Sequence, residues 1–575
     1  MTGDSVFVVL SLFAPLLLAA LLVVPATRPW IRPVVWTAAV PALVLAIAAD
    51  IGVRVDLPWV LTGVSFGLDE LARVFLLFSA LLWMVSGLYA RVYMKDDPRS
   101  VRFHVFFLLA LAGNIGLILA RDMPGFYLCF AVMSLSAWGL IIHDGTAAAR
   151  RAGWVYIVLV VIGEALLVAG MLLAAAEAGT ALDGLAARLA QSTHLHLLIG
   201  LFLVGFGIKA GVVPLHMWLP LAHPVAPTPA SAVLSGAMIK AGLLGWLRFL
   251  PLGETAQVDW GGVCVFIGMF TAFYGVAVGV TQANAKTVLA YSSISQMGLM
   301  TVGIGIGLAA PALSPVVMAA IVIYALHHGM AKGALFLGAG IAARGPQRLA
   351  YRATVAMGLL LPALSIAGAP LSSGMPAKAL LKEVIFHAQE PWAALLLALL
   401  PIAALGSMLL MVRFLTLAWP RNRGDVSVPL GLLLPWGLLL LGVASLAWIE
   451  FSTVALAEFT PTISVADVWT YTWPVVLGAV LAFMAGKYAW WRGYQVPAGD
   501  IIVLFEKAIA WCGQRPARSV SATPARVLPT AVGEMQHARF AAPILGWEGW
   551  LGRWSVAMGA FVVIVVLLVL MRFSV

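Results

Sequence analysis

A chain of 575 residues that is 62% hydrophobic and 10% charged, with a mean hydropathy of +1.02, is far too apolar for a soluble globular domain. Its three cysteines, Cys129, Cys264 and Cys512, stand far apart, which excludes cysteine-ligated iron–sulfur clusters and a CxxC redox pair. The net charge of +10 is spread over short loops, so it speaks for membrane topology and against a nucleic-acid partner.

A helix needs about 20 apolar residues to cross a bilayer, and about 16 such stretches follow one another along the chain. They begin near Val6, Val34, Leu71, Val101, Met123, Gly153, His194, Val225, Gly262, Val288, Pro315, Ala353, Ala393, Leu430, Tyr471 and Trp554. The first lacks a basic leader and an A-x-A-like exit and is expected to be retained as a helix. Loops carrying Arg28 and Arg32, Arg91 to Arg102, Arg150 and Arg151, Lys286, Arg344 to Arg352, and Arg421 and Arg423 fall on one side. Asp50, Asp56, Asp69, Glu177, Asp183, Glu254, Asp259, Glu450, Glu458 and Asp467 fall on the other. The positive-inside rule then predicts a multi-pass protein of the cell inner (plasma) membrane with both termini on the outer side.

Two apolar segments are interrupted in a way the others are not. GIKAGVVPLHMWLP surrounds Lys209 and carries Pro214 and Pro220, while AGAPLSSGMPAK leads to Lys378 and carries Pro370, Gly374 and Pro376. Matched broken helices point to inverted repeats whose freed backbone lines a polar cavity. The expected organisation is therefore helices 1–3 in residues 1–100, a first repeat of helices 4–8 in 101–250 and a second of helices 9–13 in 251–420. Helices 14 and 15 follow in 421–495. A connector on the basic side, 496–552, opens with DIIVLFEKAIAW, expected to lie as an amphipathic helix at the interface, and a last span fills 553–575.

An ionisable group in mid-span costs on the order of 2.5 to 3.5 kcal/mol and calls for a reason. Lys209 precedes the first break, where snorkelling is the competing account. Lys240, in AVLSGAMIKAGLLGWL, has apolar helix on both sides, and Glu164 is the one acid in VYIVLVVIGEALLVAGMLL, where a silent protonated acid is the alternative. Tyr324, His328 and Lys332 recur every four residues and share one helical face, as would also suit structural hydrogen bonds between helices. Lys378 follows the second break. His327 and His328 have no acid or cysteine at ligand spacing, so no metal is expected. GIGIG at 303–307 lies inside a span with no strand before it and is expected to serve close helix packing.

Such charges can do work. A carboxylate about 7 Å from an ammonium exerts about 2.4 kcal/mol at an effective dielectric near 20. Moving a proton against 100 mV takes about 2.3 kcal/mol. A row of buried lysines can therefore pass an electrostatic signal of the right size, but the chain has no GxxxxGK[ST] loop and must be driven from outside.

The segments FGIKAGVVPLHMWLPLAHPVAPTPASAVLSGAMIKAG, KTVLAYSSISQMG, ALHHGMAKGALFLGAG and SIAGAPLSSGMPAK resemble the antiporter-like, proton-translocating membrane subunits of the respiratory complex I family. The wording AHPVAPTPASAVLSGAMIK is most similar to the hydrogenase-4 and formate hydrogenlyase branch, with the multisubunit cation/proton antiporters close by. The resemblance covers roughly residues 101–420 and implies an all-α fold with a 14-helix core of two inverted repeats and broken helices 7 and 12. It implies a proton path through Lys209, Lys240, His328, Lys332 and Lys378, with Tyr324 on the same stripe, no cofactor of the chain's own and no catalytic site. The implied partners are other membrane subunits, the lipid bilayer and protons, with sodium as the alternative ion. In the family a helix-5 glutamate pairs with the helix-7 lysine; here FAVMSLSAW places Ala131 there, and Glu164 is the expected substitute. The alternative functions are a subunit of a multisubunit cation/proton antiporter and a membrane partner of an inorganic-carbon uptake complex.

Overall fold

The computed structural model describes residues 3–61, 63–345, 349–419, 428–448, 465–488 and 495–503. Among them, 13 helices are long and apolar enough to cross a membrane. With the shorter apolar helices Leu195–Ala210 and Leu430–Ser445, they account for every expected stretch up to the one near Tyr471. The stretch near Trp554 and most of the 496–552 connector lie outside the described residues. Two short strands, Arg54–Leu57 and Val64–Gly67, pair in a small sheet. The chain divides into two compact units, residues 1–55 with 65–503 and residues 56–64 with 504–575. Only residues 56–61, 63 and 64 of the second are described; all that follows concerns the first.

Short polar side chains begin a few of the helices by taking up amide groups that have no partner within the helix. Asp122 accepts from the Gly125 amide at 2.7 Å, Thr146 from Ala149 at 3.1 Å, and Asn284 from Lys286 at 2.9 Å. Small residues then let the helices close on one another. Helix Val258–Gly279 carries Gly261, Gly268 and Gly275 at intervals of seven, against helix Ala285–Ala309. A Cβ on Gly268 would stand 2.6 Å from the Gly298 carbonyl oxygen, and one on Gly305, inside GIGIG, 2.6 Å from that of Gly261. The motif thus packs backbone against backbone. The segments Thr228–Phe249 and Ala285–Ala309 are buried all round and lie at the centre of this unit.

Arginines on the acidic-loop side are paired. Arg121 bridges Asp69 and Asp183, and Arg248 grips both oxygens of Asp69, one of them at 2.9 Å. Asp69 also caps the Ala72 amide at 2.7 Å, which ties the start of helix Glu70–Tyr93 to the ends of two others. Burial works against the Asp69 charge, but the Arg248 hydrogen bond and charge, the Ala72 amide and Arg121 outweigh it and hold the pKa at about 2. A carboxylate held below its ordinary value stabilises the fold fully above about pH 4 and loses that contribution as pH falls through about 2. Asp69→Asn is expected to cost about 2 kcal/mol at pH 7 and to flatten the acid limb of a detergent melting curve taken between pH 6 and pH 2.

Of the connector's start, residues 495–503 are described and make specific contacts with the rest of the protein, while most of DIIVLFEKAIAW lies outside the described residues. The Val496 carbonyl accepts from Gln282 at 2.9 Å, and the buried Asp500 carboxylate accepts from the Tyr291 hydroxyl at 2.8 Å and pairs with His216 Nε2 at 3.1 Å. A carboxylate opening an otherwise apolar run had a specific partner inside, which amphipathic periodicity does not reveal.

Candidate functional site

The first break is built around Gly211, whose φ of +74° is open to glycine at little cost. Helix Leu195–Ala210 stops there, and the chain resumes as helix Trp218–Val225. Pro214 lies in the gap, and Pro220 sits in the first turn of the second half. Two of the freed backbone groups are served by side chains: Trp218 Nε1 donates to the Ile208 carbonyl at 2.8 Å, and the Val213 amide donates to Thr271 at 3.1 Å.

Lys209 occupies the last turn before this gap and is buried. Its Nζ donates to Ser134 Oγ at 3.1 Å and to the Tyr156 hydroxyl at 3.2 Å, with the Phe130 and Tyr156 rings 5.7 and 5.6 Å away. Glu164 lines the same small cavity and feels the charge of Lys209. It is brought there by Gly163, where a Cβ would stand 3.3 Å from the Gly205 carbonyl of the lysine's own helix. Ala131 does not line the cavity; Phe130 and Ser134 do.

Lys240 follows one wide turn, Leu234–Met238, in which the Ile239 amide reaches back five residues to Leu234. Such a bulge frees carbonyls, and Lys240 Nζ donates to that of Ser235 at 2.6 Å. At the same level helix Ser314–Ala343 comes so close that a Cβ on Gly329 would stand 2.7 Å from the Gly236 carbonyl. The neighbouring His328 is fully buried, and neither ring nitrogen has a hydrogen-bond partner in the protein. It lies within the fields of both Lys240 and Lys332. Lys332 Nζ donates to the Leu289 carbonyl at 2.9 Å and to Ser292 Oγ. Tyr324 donates to Gln296 at 2.8 Å, and Gln296 in turn to Ser407 at 2.9 Å. The expected stripe therefore meets helix Ala285–Ala309 at Tyr324 and Lys332 and the Lys240 bulge at His328.

The second break centres on Gly368, with φ of +84°, and Leu371, with φ of +61°. Pro370 lies in the turn, and Gly374 and Pro376 open the resumed helix Gly374–His387. There Lys378 Nζ donates to the carbonyls of Ile366 and Ala367 at 3.1 and 2.7 Å, so the ammonium caps the broken end, where a positive charge is favoured. His327, which the sequence reading set aside, joins this region: its Nδ1 meets Ser373 at 2.8 Å, and its ring lies within the fields of Lys378 and Lys240. Ser134, Tyr156, Ser292, Gln296 and His327 are thus the polar groups that sequence reasoning did not single out. Only the HH pair at 327–328 carried a signal. Among the described residues no group of three or more His, Cys, Asp or Glu side chains could hold a metal ion.

Residues 120–404 match the family described as NADH:quinone oxidoreductase/Mrp antiporter, TM. Hydrogenase-4 component B of Escherichia coli strain K12 is 32% identical over 296 residues, which are 49% of this chain and 44% of that protein. The chain spans about half the length of the curated relatives it matches first. The structure of the Mrp complex from Dietzia sp. DQ12-45-1b superimposes on 90% of this chain and 60% of its own, with a TM-score of 0.72 at 22% identity. That of the membrane-bound sulfane sulfur reductase, an archaeal respiratory membrane complex, superimposes on 84% of this chain and 99% of its own, with a TM-score of 0.63 at 19% identity. The all-α membrane fold and the two interrupted helices agree with the matched sequence, and residues 120–404 of the chain belong to the NADH:quinone oxidoreductase/Mrp antiporter family.

Proposed function

We propose that the chain is a proton-translocating, antiporter-like subunit of a larger redox-driven membrane complex of the complex I or membrane-bound hydrogenase kind. The observation that carries this reading is the set of four buried lysines on four helices, with Glu164 lining one cavity with Lys209, His328 within the fields of Lys240 and Lys332, and His327 within those of Lys378 and Lys240. Protons enter and leave through the two halves, 101–250 and 251–420, read as inverted repeats because each contains one interrupted helix with a lysine at the break. The membrane is the cell inner membrane, with the basic loops inside. A multisubunit cation/proton antiporter is the second reading, favoured by the extent of the match to the Mrp complex structure.

The test is proton flux in proteoliposomes of the full assembly, driven by a potassium diffusion potential and followed with a trapped pH dye. Lys240→Ala is expected to reduce flux at least about tenfold while leaving the assembly intact, since the alanine keeps the helix and removes the proton carrier. Unchanged flux would sink the proposal. Lost assembly with no effect on flux per complex would mark a scaffold instead. Flux that requires sodium on the opposite side would favour the antiporter reading.

A further inference from the structure

Nothing so far explains how Lys209 and Glu164 communicate when the acid that the family places on the preceding helix is absent. We propose that Ser134 is the proton bridge between them, an inference that rests on the reading above. Ser134 Oγ accepts from Lys209 Nζ at 3.1 Å, which leaves its own O–H to donate, and Ser134 lines the same small cavity as Glu164. Glu164 Oε1 is buried with no hydrogen-bond partner. The cavity they share has a volume of about 10 Å³, at the lower edge of what a single water requires, so a chain of waters does not fit between the two charges. Tyr156 is already committed, since its hydroxyl donates to the Ser134 carbonyl at 2.8 Å while accepting from Lys209. It holds the bridge in place and passes nothing on.

The step balances. The Lys209 ammonium gives one proton to Ser134 Oγ as the serine's own hydroxyl proton passes to the Glu164 carboxylate. A neutral amine, an intact serine and a neutral carboxylic acid result. Two charges vanish together, which suits a site walled by Phe130, Val160, Ile208 and Trp218. The reverse step restores the ion pair. The bridge is therefore a switch whose neutral state is favoured by the apolar wall and whose charged state is favoured by the Phe130 and Tyr156 rings around the ammonium.

The experiment uses the same proteoliposomes of the full assembly. Ser134→Ala should slow proton flux at least about tenfold, because it breaks the path while leaving both charges in place. Ser134→Thr, which keeps the hydroxyl, should retain at least about half of the flux. A purely structural serine would not show rescue by threonine together with an unchanged melting temperature in the alanine variant. Wild-type flux in Ser134→Ala overturns the bridge, and so does equal loss in alanine and threonine variants. The two readings separate cleanly: if Glu164→Gln slows flux and Ser134→Ala does not, the bridge alone fails; if the unaltered assembly moves no protons, the proposed function fails with it.

Discussion

Glu164→Gln is expected to lower proton flux about thirtyfold, the factor that corresponds to removing an interaction of about 2 kcal/mol between unit charges about 8 Å apart at an effective dielectric near 20. Glutamine keeps the size and hydrogen-bonding capacity of the side chain, so the close approach of Gly163 to Gly205 and Ile208 should survive and the loss should reflect charge and proton transfer. The second half of the experiment returns the acid to the preceding helix. Ala131→Glu in the Glu164→Gln background places a carboxylate next to Phe130 and one turn from Ser134, both of which line the Lys209 cavity. Partial recovery is the expected outcome, because an electrostatic partner is specified by distance more than by which helix supplies it. A silent Glu164→Gln would show that Lys209 works without this acid, and the chain would then be a modified member of its family.

Lys332→Met should have the other large effect, and it runs in opposite directions on transport and stability. The lysine is fully buried and held by the Leu289 carbonyl and Ser292. Methionine fills a similar volume without a charge to desolvate, and replacing buried charge with well-packed apolar groups is often neutral or stabilising. Flux is expected to fall on the order of a hundredfold, to leak level, since the proton carrier next to His328 in the second half is gone. The melting temperature of the purified assembly should hold or rise. A fall of more than a few degrees would mean that Lys332 is there for structure, which would remove it from the proton file.

Much of this molecule is written plainly in its composition. Apolar runs of the required length can only be spans, and a lysine in mid-span is conspicuous because it is costly. Lys209, Lys240, Lys332 and Lys378 were therefore legible, as were the two interruptions. Their partners were not. Ser134, Tyr156, Ser292 and Gln296 are ordinary polar residues whose significance comes from which helix lies opposite, and nothing in a local window records that. Ala131 shows the limit from the other side: the family resemblance marks a missing glutamate there, but the side chains that meet the lysine sit one position before and one turn after it. Asp500 is further still, 284 residues from the histidine it pairs with, on a segment whose periodicity suggested the membrane surface.

The lysine seated on the end of a broken helix has a mechanical meaning. Lys378 holds the carbonyls of Ile366 and Ala367 with the charge that a transported ion would bring or take away. An ammonium is drawn to that helix end, and a neutral amine is drawn far less. On the proposed function, losing that charge would loosen the hold on the first half-helix, and bending the break from outside would in turn alter how firmly the charge is held. If the chain works as proposed, such a joint would act in both directions, turning occupancy into movement and movement into occupancy.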